Sequence, residues 1–359
     1  MSKSPPESKD RFGLMVLLVG VAIIASGFGV LWWMAGGGSI RRSPTRVAES
    51  ATRPLAESTD ADGQPVQFEA DVAVPEGLFN YGGSTSWVPV HEQVEPAIAA
   101  QFPDYQLRYT LPAGRAPGSG SGIDMLINGQ LTFAESSRPV TPEEYEAAQR
   151  RGFDLIQVPT AIDGIALAVH PDLNASGIDG LNVEQVRAIY TGQVTNWRDL
   201  GGPDLPIQAL SRSAETSGTA KFFLESVVDA DDYDDSVRMM ETTTEAIRVV
   251  AETPGAIYYA SSPEVVPQCS IYPLPIAPAD TDAYVAPYQA PLVTNCPEQR
   301  NSINREGFRS GDYPLTRRLF VVIKADGDRD EAAGRAYSEL LLSPTGQTLI
   351  ESSGFVGIR

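Results

Sequence analysis

The chain has 359 residues, 42% hydrophobic and 20% charged, a balance that fits a globular protein and excludes a disordered one. Lys and Arg number 27 against 46 Asp and Glu, a net charge of −19, so the basic footprint of a nucleic-acid binder is missing. Taken at face value, the same charge argues against an anionic ligand.

The first feature in chain order is Leu14–Met34, 21 residues without a charge. As a helix it would span about 31 Å, one hydrocarbon core. Trp32 and Trp33 stand at its end, where an interfacial aromatic belt lies. The run is longer than the apolar core of a cleavable signal peptide, and no Cys follows it for lipid attachment. It is read as a single-pass anchor in the cytoplasmic membrane. Lys3, Lys9 and Arg11 precede it and Arg41, Arg42, Arg46 and Arg53 follow it, so flanking charge is close to neutral and leans slightly against export of the C-terminal part, a lean outweighed by two considerations. A large folded domain translocates largely regardless of nearby charge. The two cysteines, Cys269 and Cys296, are an even pair, as expected of an oxidising compartment. The domain is therefore placed outside the cytoplasm, with Cys269 and Cys296 read as a disulfide. Residues 35–74, rich in Gly, Ser, Pro, Thr and Asp without a sustained period, read as a flexible, disordered linker.

Residues 75–359 carry 20 basic and 38 acidic side chains, so almost all the acidity lies there. Short apolar runs alternate with helical patterns. Strands are predicted at Leu78–Tyr81, Leu107–Leu111, Leu155–Val158, Ile165–His170, Ile207–Leu210, Ala256–Ala260 and Leu319–Lys324. Val90, Val94, Ala97 and Ile98 share one helical face. Val183, Val186 and Ile189 share another, as do Ala336, Leu340 and Leu341. Such alternation predicts an α/β fold with helix-covered sheets, in which ligands bind beyond the carboxyl ends of strands.

Three strand-to-helix joints share one chemistry. Gly82-Gly83-Ser84-Thr85-Ser86 follows the first strand, and Gly118-Ser119-Gly120-Ser121-Gly122 follows the second. Ser211-Arg212-Ser213 and then Thr216-Ser217-Gly218-Thr219 follow Ile207–Leu210. Each combines small residues, hydroxyls and the free N–H groups of a helix start, a combination that binds anions. A single joint reads as an ordinary N-cap. Three of them, two with an arginine close by (Arg138 and Arg212), point to a site.

Catalytic signatures are missing. Gly118–Gly122 has Gly where a nucleophile elbow needs Ser, and there is no Walker A sequence or dinucleotide fingerprint. The cluster Asp231, Asp232, Asp234 and Asp235 lacks the Gly and Glu of a calcium loop and reads as a solvated acidic loop. With two His far apart, no metal site is expected, nor any cofactor or enzymatic activity.

From about Gly77 onward the chain resembles the phosphate-binding proteins of bacterial ABC importers, the PstS-like family. The resemblance rests on FNYGGSTSW at Phe79–Trp87, GSGSGI at Gly118–Ile123, FAESSRP at Phe133–Pro139 and AIDGIALAVHP at Ala161–Pro171. It continues through IYTGQVTNW at Ile189–Trp197, SRSAETSGTAKFF at Ser211–Phe223 and YPLTRRLFVVI at Tyr313–Ile323. The resemblance implies a type II periplasmic-binding fold: two α/β lobes, residues 75–159 plus 318–359 and residues 160–317, with the ligand between them. It implies no enzymatic activity but delivery of inorganic phosphate, or a related tetrahedral oxyanion, to ABC permease subunits. A sensor or scaffold using the same fold is the alternative. An anchored phosphoester hydrolase would lack metal ligands and a positioned base.

By the resemblance, the ligand set is Ser84, Thr85 and Ser86 from the first joint and Ser119, Gly120, Ser121 and Gly122 from the second. Ser137 and Arg138 follow, then Arg212 with Ser217, Gly218 and Thr219. The spacing after Arg212 is one residue longer than the family's pattern. Ser137 stands where many members have an aspartate that accepts a proton from phosphate and repels fully ionised anions. A serine there weakens that discrimination. Arg138 either grips the ligand bidentately or pairs with Glu135 or Glu215. Short-range donors reconcile an anionic ligand with an acidic surface, because salt screens the global field within about 8–10 Å.

Overall fold

The computed structural model describes residues 67, 68 and 72–359. The apolar run Leu14–Met34 lies outside the described residues, as does most of the segment read as a linker. Within that segment Phe68 packs on the domain: it is buried, its N–H donates to Gln101 Oε1, and its ring lies against Phe102. Among the described residues, no helix is long and apolar enough to cross a membrane.

The strands, in chain order, are β1 (Gly77–Gly83), β2 (Tyr105–Tyr109), β3 (Phe133–Ser136), β4 (Asp154–Val169), β5 (Leu181–Asn182) and β6 (Gln208–Arg212). Then come β7 (Arg238–Met240), β8 (Ala256–Ser261), β9 (Tyr272–Leu274), β10 (Ile276–Ala277), β11 (Thr316–Ala325) and β12 (Val356–Gly357). The main sheet runs β2-β1-β3-β11-β4-β8-β6-β7, with β12 and β9 also pairing with β4. β1 is parallel to β2 and β3, and β6 is parallel to β7 and β8; β11 and β4 join the two parallel groups in antiparallel fashion.

Two strands thus carry the chain between two α/β lobes. The runs Leu155–Val158 and Ile165–His170, expected as separate strands, belong to one 16-residue strand. Pro159 and Gly164 between them look like breakers. The chain passes Pro159 through a register shift against β11, where Ala161 pairs with Leu319 and Pro159 with Phe320, leaving Thr160 as the extra residue, while Gly164 stays in register opposite Thr316. A bulge is where a strand tolerates proline. In the other direction, the predicted strand Leu107–Leu111 stops at Tyr109, and Leu111 is 65% exposed at the start of the Gly/Pro loop.

The first lobe has an apolar core on each face of its sheet. Phe79, Tyr81, Phe133, Val321 and Ile323 pack with Val90, Val94 and Ile98 of the helix Val88–Gln101 on one side. Ala134, Leu155 and Val322 pack with Ile123 and Leu126 of the helix Ser119–Ile127 on the other. The second lobe has its own core, in which Ile165–Val169 and Ala256–Ala260 meet Val186, Ile189, Tyr190, Phe223 and Val250. Burial on both faces explains the unbroken apolar runs of these strands. Cys269 and Cys296 form the expected disulfide, with Cα atoms 5.7 Å apart.

Candidate functional site

The first joint forms because β1 ends in glycine. Gly83 has φ +132°, and a Cβ there would stand 2.2 Å from the backbone oxygen of Glu135, so only glycine fits. Ser84 then donates its N–H to that same oxygen at 2.9 Å. Its side chain caps the 3₁₀ turn Thr85–Trp87 by accepting from Ser86 N–H, and the helix Val88–Gln101 follows. Beneath the joint the buried Glu135 carboxylate lies 2.7 Å from His91 Nε2 and accepts from the Tyr337 hydroxyl at 2.9 Å. That pairing fixes the end of β3 against the helix carrying His91.

At the second joint Gly118 precedes the helix Ser119–Ile127. The third joint holds Ser217 as N-cap of the short helix Gly218–Phe223, accepting from Ala220 N–H. Phe223 anchors that helix by stacking on Tyr259, and the Tyr233 hydroxyl donates to Ala220 O.

The fold brings the hydroxyls of these joints together. Ser84 Oγ donates to Ser137 Oγ at 3.0 Å, and Ser119 Oγ is 3.2 Å from Ser137 Oγ and accepts its N–H. Ser86 Oγ is 3.3 Å from Thr219 Oγ1, across the boundary between the lobes. Gly218 fits tightly: a Cβ there would meet Ser119 Oγ at 2.2 Å and Ser137 Oγ at 2.6 Å. Gly120 N–H donates to Thr216 O at 3.3 Å, a further contact between lobes. Arg212, on β6, reaches across with Nη1 to Thr85 Oγ1 at 3.2 Å and Nη2 to Pro117 O at 2.9 Å. Its Nε is buried without a partner. Such a concentration of hydroxyl and guanidinium donors suits an anion with several acceptor oxygens.

Three expected residues point elsewhere. Ser121 Oγ donates to Gly118 O within its own helix, and Gly122 N–H is also bonded to Gly118 O. Arg138 pairs with neither Glu135 nor Glu215. It makes a bidentate ion pair with Glu144, at 2.6 and 2.8 Å, and donates to Pro139 O. Glu144 is also the capping-box residue of the helix Pro142–Arg150, so this pair anchors the helix start and draws the guanidinium from the hydroxyls.

One residue escaped the sequence reading. Arg317, at the start of β11, donates through Nη2 to Ser86 Oγ at 3.0 Å. Its Nε and Nη2 hold Asp163 Oδ2 at 3.0 and 2.9 Å, and the Ser261 hydroxyl donates to Asp163 Oδ1 at 2.7 Å. A period-2 signal was present: Leu315, Arg317, Leu319 and Val321 alternate onto the buried side, while Arg318 is exposed. Burial pushes the Asp163 carboxyl upward, against the pull of Arg317. Burial and neighbouring Asp163 also raise Glu264 to about 7, opposed by Arg212 and Arg317. The two arginines therefore lie in a low-dielectric setting where their charge is poorly screened.

Residues 56–345 match the family model of the PBP superfamily domain. The phosphate-binding protein PstS of Staphylococcus haemolyticus is 24% identical over 284 residues, covering 76% of this chain and 79% of that one. The phosphate-binding protein PstS of Bacillus subtilis is 27% identical over 183 residues, covering 51% of this chain and 56% of that one. Among solved structures, a phosphate ABC transporter substrate-binding protein from Clostridium perfringens, determined with bound phosphate, superposes with a TM-score of 0.63 at 25% identity. The match covers 79% of this chain and all of that one. A phosphate transport receptor from Vibrio cholerae shares the fold, with a TM-score of 0.56 at 23% identity over 77% of this chain and 99% of that one.

Proposed function

This chain belongs to the PBP superfamily, and from that premise we propose that it binds inorganic phosphate between its lobes for delivery to an ABC importer. The observation that carries the reading is the convergence of Ser84, Ser119 and Ser137 from the first lobe on Gly218 of the second, with Arg212 reaching Thr85. Similarity to phosphate-binding PstS proteins and to a phosphate-bound structure supports it.

In this reading the ligand lies among Ser84, Thr85, Ser86, Ser119, Gly120, Ser137, Arg212, Ser217, Gly218 and Thr219. Ser121, Gly122 and Arg138 support the site from behind. The lobes comprise residues 75–159 plus 318–359 and residues 160–317, and closure over the ligand turns on β4 and β11. Leu14–Met34 anchors the chain in the cytoplasmic membrane, and the segment from residue 35 up to the packed Phe68 tethers the domain on the outer side. The disulfide accords with that compartment. Binding without chemistry is the function in this reading, supported by similarity to phosphate-binding proteins and by a site built of hydroxyl and guanidinium donors.

Calorimetry of the full-length chain in mild detergent, with phosphate, arsenate and sulfate, tests the reading. Saturable heat with phosphate is expected. No heat and no thermal shift with any of the three would refute it.

A further inference from the structure

The strands that join the lobes carry a buried cation on the boundary itself. The Arg317 side chain is only 2% exposed, and Asp163, its partner at 2.9 Å, is fully buried. The two stand opposite each other in the register of β11 and β4. Burying a guanidinium is costly unless its donors are used. Nε and both bonds of Nη2 are used, on Asp163 and Ser86, while Nη1 is buried with no partner. Among the described residues, unpartnered buried side-chain polar atoms include Arg212 Nε as well. The two arginines that touch the hydroxyl cluster thus each keep a donor in reserve.

Among the described residues, the cluster's hydroxyls hydrogen-bond one another, two arginines and backbone N–H groups, and no carboxylate is among their partners. Both Asp163 oxygens are occupied, one by Arg317 and one by Ser261. Glu135 is taken by His91 and Tyr337, Glu144 by Arg138, and Glu264 is bonded to Thr243. An anion at this cluster meets two guanidinium groups, one of them paired with Asp163, and neutral hydroxyls; hydroxyl and backbone carbonyl oxygens are the acceptors the cluster offers.

We propose that Arg317 is the second guanidinium of the anion site, and that Arg212 and Arg317 together make the cleft a receptor for doubly charged tetrahedral oxyanions, sulfate as well as phosphate. The proposal rests on the phosphate-site reading and adds a residue and a charge preference to it. Asp163 is a positioning residue: it holds Nε and Nη2 so that the guanidinium edge faces Ser86. Because Arg317 lies on a strand shared by the lobes, its contact with the anion links ligand binding to the hinge.

The test is calorimetry of the full-length chain in detergent at neutral pH with inorganic phosphate and with sulfate. The wild type is expected to bind both, with affinities within about 10-fold of each other. Arg317→Gln is expected to weaken both by about 10–100-fold, the range of a hydrogen bond to a charged group. That variant leaves Asp163 buried and unpaired, so the double variant Arg317→Gln with Asp163→Asn removes both charges and keeps the shape. A double variant that melts like the wild type and still loses at least 10-fold for both anions supports the proposal. Wild-type affinity in either folded variant overturns it. Phosphate binding with sulfate more than about 1000-fold weaker overturns the charge preference without any variant. Failure of the wild type to bind either anion is the separate result that refutes the phosphate reading itself.

Discussion

Gly120→Ala separates the fit between the lobes from the stability of either one. A Cβ at Gly120 would stand 2.2 Å from the backbone oxygen of Glu215 in the opposite lobe and 3.3 Å from its carbonyl carbon. That is roughly 1 Å short of ordinary van der Waals contact. Neither the Glu215 backbone nor a β-carbon can rotate away, so the lobes must part. Overpacking of this kind costs about 1–3 kcal/mol, and it falls on the closed arrangement alone. Gly120 is a helical residue without a positive φ, so alanine suits its backbone and favours the helix by up to about 1 kcal/mol. The two effects have opposite signs. Phosphate affinity, measured by calorimetry, is expected to fall by about 5–150-fold, while the ligand-free melting temperature is unchanged or higher. Unchanged affinity would show that Gly120 and Glu215 do not approach this closely around the ligand. A ligand-free melting temperature several degrees lower would show that the penalty is not confined to closure.

Arg212→Gln removes a charge-assisted donor and is expected to cost about 1.5–3 kcal/mol of phosphate binding; a loss of a few tenths in calorimetry would exclude Arg212 from the ligand shell. Ser137→Asp places a carboxylate among the Ser84 and Ser119 hydroxyls and is expected to raise the phosphate-to-sulfate affinity ratio at least about 10-fold. An unchanged ratio in competition titration would mean that position 137 does not face the anion. Reducing Cys269–Cys296, which are separated by 27 residues, is expected to destabilise by about 3–4 kcal/mol on the loop-entropy estimate. Denaturant melts with and without dithiothreitol measure this, and coincident curves would contradict it. Burial, with the Glu135 carboxylate nearby, raises Glu95 from 4.5 to about 7. Its contribution to stability is therefore full below the unfolded value and is lost as pH rises through about 7. The ligand-free melting temperature should fall between acid and mildly alkaline pH, and Glu95→Gln should flatten that fall; an unaltered pH profile in the variant would refute the assignment.

Much of the candidate site was legible because its chemistry is local. Ser84, Ser119 and Ser217 stand beside glycines at strand-to-helix joints, and such joints announce themselves in a few consecutive residues. The helical faces at Val90–Ile98 and Val183–Ile189 were equally plain, since a buried stripe leaves its period in the chain. Other features depended on distant partners. Arg138 could not be assigned because its fate turned on whether Glu144 or an anion was nearer, and the capping box had already placed Glu144 at the helix start. The two runs predicted within β4 form one strand because Pro159 sits beside a bulge that exists only against β11.

The amino-acid sequence alone determined the α/β class, the three hydroxyl-bearing joints and a distribution of charge that excludes nucleic acid. Those properties follow from residue type and short-range period. Tertiary structure decided which donors converge and which are spent elsewhere, because Ser86 and Thr219 are 133 residues apart and Arg317 and Ser86 are 231 apart. A net charge of −19 describes the surface, while the fold brings the buried guanidinium groups of Arg212 and Arg317 to the hydroxyls at the boundary between the lobes.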